Sequence, residues 1–394
     1  MAQQKQTDTE LVMGWESRKR LQAKGFTNKQ GQIFRAMAPV LDQEGLITPT
    51  PASYVVQHFD VPAVVRPEDW EMTIGGHVKQ PVTLTYNDLR ELPGRTVRMV
   101  MECSGNDAQF FDAQYAERFI GLMRYLDPDY QGKRWQGGLI SAGEFTGVPL
   151  ASVLEKAGLK PNAVNVRVEG TDRGSPDLVM HGLPPSDTPV PPFNYDKGLP
   201  MEKALHPDTI LAWAQNGEAL DHVHGAPVRL VVPGWPGNWS VKWVQRIEVL
   251  DKPATCWYQT EYYYYSQSAD DPQREIITSL PVKSMVTDPK DNNPTLPRGR
   301  HVLRGFAWSG AGMITRVEVS LDDGKTWHAT HLEEPREKWL WVRWSLPWDF
   351  REPGQYAILC RAMDEAGRVQ SREARWNQLR KNFNGIVPVQ VTIV

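Results

Sequence analysis

Two stretches carry residue types that could do chemistry. In "VMECSGNDAQFF", residues 100–111, a mostly apolar run leads into Cys103, and Ser104-Gly105-Asn106 is turn chemistry that would end a strand. A thiol at a strand end, facing a loop, is placed for chemistry; a buried free cysteine behaving as a small hydrophobe gives the same pattern. In "HGAPVRLVVPGWPGNWSVKW", His224, Arg229 and Lys242 stand around Gly- and Pro-rich turns. This is the makeup of a site where cationic donors and backbone N–H groups hold a phosphate. Neither the Walker nor the dinucleotide spacing is present, and a well-turned hairpin is the competing reading.

The elements that would position these groups divide the chain into an N-terminal arm (1–45), a mixed α/β domain (46–270) and an all-β domain (271–394). The polar arm is expected to wrap over the surface, as extended chain or short helices. In "GVPLASVLEKAGL", Leu150, Val153, Leu154 and Ala157 repeat at helical spacing, with Gly158 as C-cap. "VNVRVEGTD" alternates Val164, Val166 and Val168 as a half-buried strand, and "PVRLVVPG" reads as a more continuous apolar one. The Pro/Asp/Asn-rich segment "SADDPQREIITSLPVKSMVTDPKDNNPTLPRGR" reads as a linker. Beyond it, "ITRVEVSLDDGKTWHA" and "YAILCRAMDEAGRVQ" are strand pairs turning at Asp323-Gly324 and Ala366-Gly367, as in a β-sandwich of immunoglobulin type.

The chain has 394 residues, enough for two or three cores, and its 31 glycines, 31 prolines and 15 tryptophans suit a loop-rich β-containing protein. A net charge of -3 gives no electrostatic reason to expect a nucleic acid partner. There is no apolar run of bilayer length, so no membrane partner is expected. Cys103, Cys256 and Cys360 are too far apart for a metal-type Cys-x-x-Cys pair. The first residues lack an apolar signal core. The expected compartment is therefore the periplasm if an export signal was removed, and the cytoplasm if Met1 is the native start.

"QHFDVP", "MECSGN", "HGAPVRLVVPGWPGNWSVKW" and the "WHA" after "DDGKT" together resemble the sulfite oxidase family of molybdenum enzymes, from about Thr48 to the C-terminus. The resemblance implies a molybdopterin-binding α/β domain followed by an immunoglobulin-like dimerisation domain, an α+β protein overall, and hence a homodimer. Cys103 of "CSGN" matches the family's molybdenum ligand, a soft donor suited to that metal. His58, Asp172, His224, Arg229, Ser240, Val241 and Lys242 match residues that hold the molybdopterin cofactor. Trp135 matches an aromatic near the metal. Tyr262, first of four consecutive tyrosines, matches one beside the substrate; Tyr262 and His58 are the candidate polar groups of catalysis.

The same resemblance implies oxygen-atom transfer to a sulfur substrate, sulfite first. The chain has no Cys-x-x-Cys-His stretch and no recognisable haem or flavin domain, so the electrons are expected to leave to a separate carrier such as a c-type cytochrome. Three departures bear on the substrate. Sulfite-oxidising relatives carry arginine where this chain has Val56, shortly after the Cys motif where it has Asp107 and Ala108, and at Met313 of "AWSGAGM". Arg118, Arg124, Arg134, Arg173 and Arg316 are the candidate replacements. "ECSGN" and "NFNGIVPVQV" look similar to sulfane dehydrogenases, which act on carrier-bound sulfur. That activity, or reduction of an S-oxide or N-oxide, is the alternative; a binding module without activity is a third reading.

Overall fold

Strand Arg95–Glu102 shows why the apolar run before Cys103 is continuous. Val97, Met99 and Met101 pack on one side with Phe145, Ile210, Ala212 and Val231, while Val100 packs on the other with Ile140, Ala142, Phe306 and Trp341. A strand covered on both faces has no solvent side to mark with polar residues. The computed structural model describes residues 25–27, 33–114, 137–178, 183, 186–268, 271–290 and 293–394. In it this strand is the edge of a five-stranded sheet ordered Glu218–Ala219, Ile210–Gln215, Ile140–Pro149, Arg95–Glu102, with Arg229–Val231 also paired to Ile210–Gln215. The register sets Glu102 opposite Ile140, so Cys103 leaves the sheet at its end.

A second five-stranded sheet runs Val82–Thr85, Glu71–Gly76, Val244–Leu250, Asn165–Gly174, Phe193–Pro200. Val166 and Val168 are buried in it, whereas Val164 stands outside the strand and is exposed, one residue short of the expected alternation. Helix Leu150–Ala157 buries its four expected residues against this core and ends at Gly158, whose φ of 68° is a conformation that glycine adopts freely. Each of the helix's three buried leucine and valine side chains contributes roughly 1.5–3 kcal/mol.

The C-terminal domain is a sandwich of a four-stranded sheet (Lys283–Asp288, Gly299–Trp308, Val342–Phe350, His331–Leu332) and a five-stranded one (Thr295–Leu296, Val389–Ile393, Gly354–Asp364, Ile314–Ser320, His328–Ala329). The segment expected as a linker contains Lys283–Asp288, a strand buried from Lys283 to Thr287. Its Lys283 and Ser284 look solvated in sequence, yet both are buried with polar partners. Met285, Phe306, Trp308 and Trp341 of this domain pack against Val100, Ile140 and Ala142, so the two domains share a core behind the Cys103 strand. In the N-terminal region the described residues form two short strands and, as expected of the arm, a short helix, the 3-10 turn Val40–Asp42. Gly25–Thr27 and Ile33–Ala36 pair with each other, and the second pairs with Val55–Val56 beside the cleft.

Candidate active site

The loop after strand Arg95–Glu102 is bolted down by charge. Cys103 donates its N–H to the Leu139 carbonyl at 2.9 Å, and its Sγ accepts the Gly105 N–H at 3.4 Å. Behind it, the Lys283 ammonium donates to Glu102 at 2.8 Å and to Asp107 at 2.7 Å, all three side chains being buried. Trp308 Nε1 donates to the other Glu102 oxygen at 2.7 Å, Asn106 Nδ2 to Oε1 at 2.9 Å, and the Gly137 N–H to Asp107 Oδ1 at 2.7 Å. Burial pulls the Lys283 ammonium down, but Asp107 and then Glu102 outweigh it and hold its pKa above the ordinary lysine value. The C-terminal domain thus fixes the loop that presents the thiol.

In front of the thiol lies a cleft of about 600 Å³, part of it open to solvent, lined by Cys103 and by His58, Asp172, His224, Arg229, Ser240 and Lys242. Two tight approaches shape it. A Cβ on Gly237 would run into the Tyr54 hydroxyl, and Gly225, at φ 105°, would press one within 2.9 Å of Lys242 Cβ. Arg229 donates to the His224 and Ser240 carbonyls at 2.9 and 3.2 Å, and burial lowers its pKa to about 10. Lys242 donates to the Val56 and Val223 carbonyls and to Gln57 Oε1. Burial pushes Lys242 well below the usual lysine value, and Arg229 adds to this; burial also lifts Asp172 to about 7, against the pull of Lys242.

His58 stacks on Tyr195 at 4.5 Å and shares a 2.6 Å hydrogen bond from Nε2 with the Tyr263 hydroxyl. Tyr195 donates to the Asn238 carbonyl at 2.7 Å. Several buried polar atoms on the cleft walls have no hydrogen-bond partner: Gln57 Nε2, Asp172 Oδ1, Arg229 Nε and Asn238 Nδ2. Each such group costs about 1–3 kcal/mol until something pairs with it. A polar heterocycle with a phosphate would supply the acceptors for Arg229, Gln57 and Asn238 and a donor for Asp172, so this donor set fits a molybdopterin.

The cleft therefore collects Cys103, His58, Asp172, His224, Arg229, Ser240 and Lys242. Val241 is buried in the wall, its carbonyl accepting the Leu230 N–H. Tyr262 is beside rather than on the cleft lining, where Tyr263 stands; the Cys103 charge still reaches it, adding to burial in raising its phenol pKa. Trp135, with Arg118, Arg124 and Arg134, lies outside the described residues. Arg173 and Arg316 are exposed and engaged with Asn194 and Glu318, and neither lines the cleft. Sequence reading missed Tyr54, Gln57, Tyr195 and Asn238. Tyr54 and Gln57 flank the His58 motif and Asn238 stands within the Gly- and Pro-rich run before Ser240, so all three could have been included with those motifs, whereas Tyr195 carries no local signal.

Two family models match in succession: the oxidoreductase molybdopterin binding domain over residues 58–258 and the Mo-co oxidoreductase dimerisation domain over 274–392. The chain belongs to the sulfite oxidase family. It is 30% identical over 360 residues to mitochondrial sulfite oxidase of Rattus norvegicus, covering 87% of this chain and 60% of that protein. It is 31% identical over 376 residues to an NADH nitrate reductase of Phaseolus vulgaris, covering 87% of this chain and 39% of that one. The chain thus spans less than two thirds of the length of these curated relatives. The sulfane dehydrogenase SoxCD of Paracoccus pantotrophus shares the fold with a TM-score of 0.76 and 27% identity, over 98% of this chain and 92% of that one. The two family matches follow one another along the chain, and Cys103 lines the cleft within the first.

Proposed function

We propose that this protein is a molybdenum-dependent oxidoreductase that adds an oxygen atom to the sulfur of sulfite and passes the electrons to a separate carrier, a c-type cytochrome or its equivalent. The observation that carries the reading is Cys103 at the end of a cleft whose buried polar atoms are left for a ligand. When bound, the cofactor supplies the metal centre that exchanges an oxygen atom with sulfur and takes up two electrons. Cys103 would ligate its molybdenum. Arg229, Lys242 and the Ser240 region would hold its phosphate, and His58 and Asp172 its heterocycle.

The chain's own residues then bind, orient and exclude water. The His58–Tyr263 pair holds a proton between Nε2 and the phenol oxygen at 2.6 Å, and the rings of Tyr195 and Tyr258 around it keep solvent off that side. Tyr262, within the field of Cys103, is the hydroxyl that would steady an oxyanion at the metal side. The dimerisation-domain match supports a homodimer. A second reading, oxidation of sulfur held on a carrier, is supported by the likeness to a sulfane dehydrogenase over nearly the whole chain and by Val56 at a cleft position where sulfite oxidisers carry arginine.

The test is molybdenum and pterin content of the purified protein, followed by cytochrome c or ferricyanide reduction with sulfite as sole donor. Metal with sulfite turnover supports the first reading. Metal with turnover of a thiol-bound sulfur donor and none of sulfite transfers the case to the second, and no metal from a host that makes the cofactor removes both.

A further inference from the structure

We propose that Arg35, Arg380 and Lys381 form the anion-binding wall of the substrate pocket beside Cys103, in place of the guanidiniums that sulfite-oxidising relatives carry at positions 56, 108 and 313. This rests on the functional reading above and names the residues that would give it a substrate site. The ligand is a sulfur oxyanion, either free or at the end of a carrier thiol.

Position 56 is the first part. Val56 lines the cleft, and strand Ile33–Ala36 pairs with it so that Arg35 lies directly opposite Val56. Directly opposed residues of an antiparallel pair share a face, with Cβ atoms about 4.5–5.5 Å apart. Arg35 is not among the side chains that line the cleft, but it stands beside Val56, the position where the guanidinium is missing.

The second part is the C-terminal segment. Arg380, Lys381 and Asn382 are all buried, and Arg380 and Asn382 have φ of 52° and 53°, a left-handed conformation that costs about 1–2 kcal/mol for a residue with a side chain. Specific bonds hold them there. The Asn382 N–H donates to the Ser104 carbonyl at 2.7 Å, one residue from the thiol, and Asn377 clamps Lys381 by accepting its N–H at 2.8 Å and donating to its carbonyl at 2.9 Å. Phe383 packs edge-on against Phe111 of the helix that follows the Cys103 loop, at 5.2 Å. The segment is fastened to the thiol loop from two sides.

That fastening delivers a cation. Lys381 Nζ lies 3.8 Å from the centre of the Tyr262 ring and 5.4 Å from that of Tyr263, two phenols that the Cys103 charge reaches. Among the described residues no carboxylate forms an ion pair with it, in contrast to Lys283, which has two. The fields of Arg35 and Arg380 both reach Tyr262 and Lys381, so the three cations converge on one place. A buried lysine that no carboxylate pairs, between the Cys103 charge and two guanidiniums, is a receptor for an anion.

The test is calorimetric titration of the full chain, with molybdenum content measured on the same sample, using inorganic sulfate and S-sulfoglutathione as non-reacting probes. Removing one charge-assisted contact should weaken binding roughly tenfold in Lys381→Gln and roughly three- to tenfold in Arg35→Gln, with Lys381→Arg within about threefold of the unaltered chain. In turnover the loss should fall on KM, not kcat. Unchanged binding in both glutamine variants, or no binding of either probe to the unaltered chain, overturns the wall. Should Lys381→Gln not fold, Arg35→Gln decides by the same criterion. Tighter binding of sulfate assigns the wall to a free oxyanion, and tighter binding of S-sulfoglutathione to a carrier-bound one. A chain that binds sulfate through these residues but holds no molybdenum overturns the functional reading and leaves the wall standing.

Discussion

Cys103 stands between two groups of buried charges that differ in one respect. Behind it, Lys283, Glu102 and Asp107 satisfy one another, with Trp308 and Asn106 completing the set. In front, Arg229, Gln57, Asn238 and Asp172 each keep a buried polar atom unpaired. A closed set of charges is architecture, because nothing is left to bind. An open set at a cleft is costly without a ligand, and that cost is returned as affinity when the ligand arrives. Burial of charge alone would not have told these regions apart; the state of their partners does.

The largest expected effect falls on the thiol between them. Cys103→Ser should abolish turnover while circular dichroism and the oligomeric state stay unchanged, since the Leu139 and Asn106 backbone bonds around the position need no sulfur. Normal activity in that variant would remove Cys103 as the metal ligand and with it the meaning of the open set.

Next comes the closed set. Lys283→Met leaves two buried carboxylates facing each other without a cation and should destabilise the protein by about 3–5 kcal/mol in chemical denaturation. Adding Glu102→Gln and Asp107→Asn to it should recover part of the loss, because the unpaired charges go with them. A single Lys283→Met variant as stable as the parent would mean that water already reaches the cluster and that the two regions are not different in kind.

How much of this was legible beforehand follows the same division. The Cys103 strand end, helix Leu150–Ala157 and the cationic run from His224 to Lys242 are local patterns, set by residues within one or two turns of each other. Strand Lys283–Asp288 reads as a linker in sequence because its lysine and serine look solvated until Glu102 and Asp107, about 180 residues away, are brought to it. Arg35 opposite Val56 and Lys381 over Tyr262 are shorter in range but are also brought together only by the fold, so no local signal could place them. Residues that a strand or turn positions are read from sequence; partners that only topology brings together are not.

The open set makes a pH prediction of smaller size. Burial raises Asp172 from the ordinary carboxyl range to about 7, so the folded chain without cofactor takes up a proton that the unfolded chain releases. The associated stability is complete below the unfolded pKa of about 3.9 and is lost as pH rises through 7. Cofactor-free protein should therefore gain on the order of 2 kcal/mol between pH 8 and pH 5 from this group, and Asp172→Asn should flatten that slope. The same variant should retain roughly tenfold less cofactor on gel filtration if the unpaired oxygen is there to meet it. The buried Lys197 and Lys381, lowered by burial to about 7, push the other way in both chains, so the readout is the difference; identical profiles in the parent and in Asp172→Asn would place Asp172 with the closed set.

The finest distinction is between two adjacent tyrosines. Tyr263 bonds His58 and lines the cleft, whereas Tyr262 lies closer to Lys381, 3.8 Å against 5.4 Å, and the Cys103 charge reaches both. Both rings stay packed on replacement by phenylalanine, so each variant removes one hydroxyl and nothing else. Tyr263→Phe leaves His58 Nε2 without that partner and should cost about 1 kcal/mol, seen as a lower thermal midpoint and less retained cofactor. Tyr262→Phe should leave both unchanged and lower kcat by roughly tenfold at equal molybdenum content, the size expected for one hydrogen bond to a developing charge. The opposite outcome, kcat falling with Tyr263 and stability with Tyr262, would move the substrate side of the thiol to the His58 wall. The cations at 35, 380 and 381 would then face the cofactor instead of the substrate.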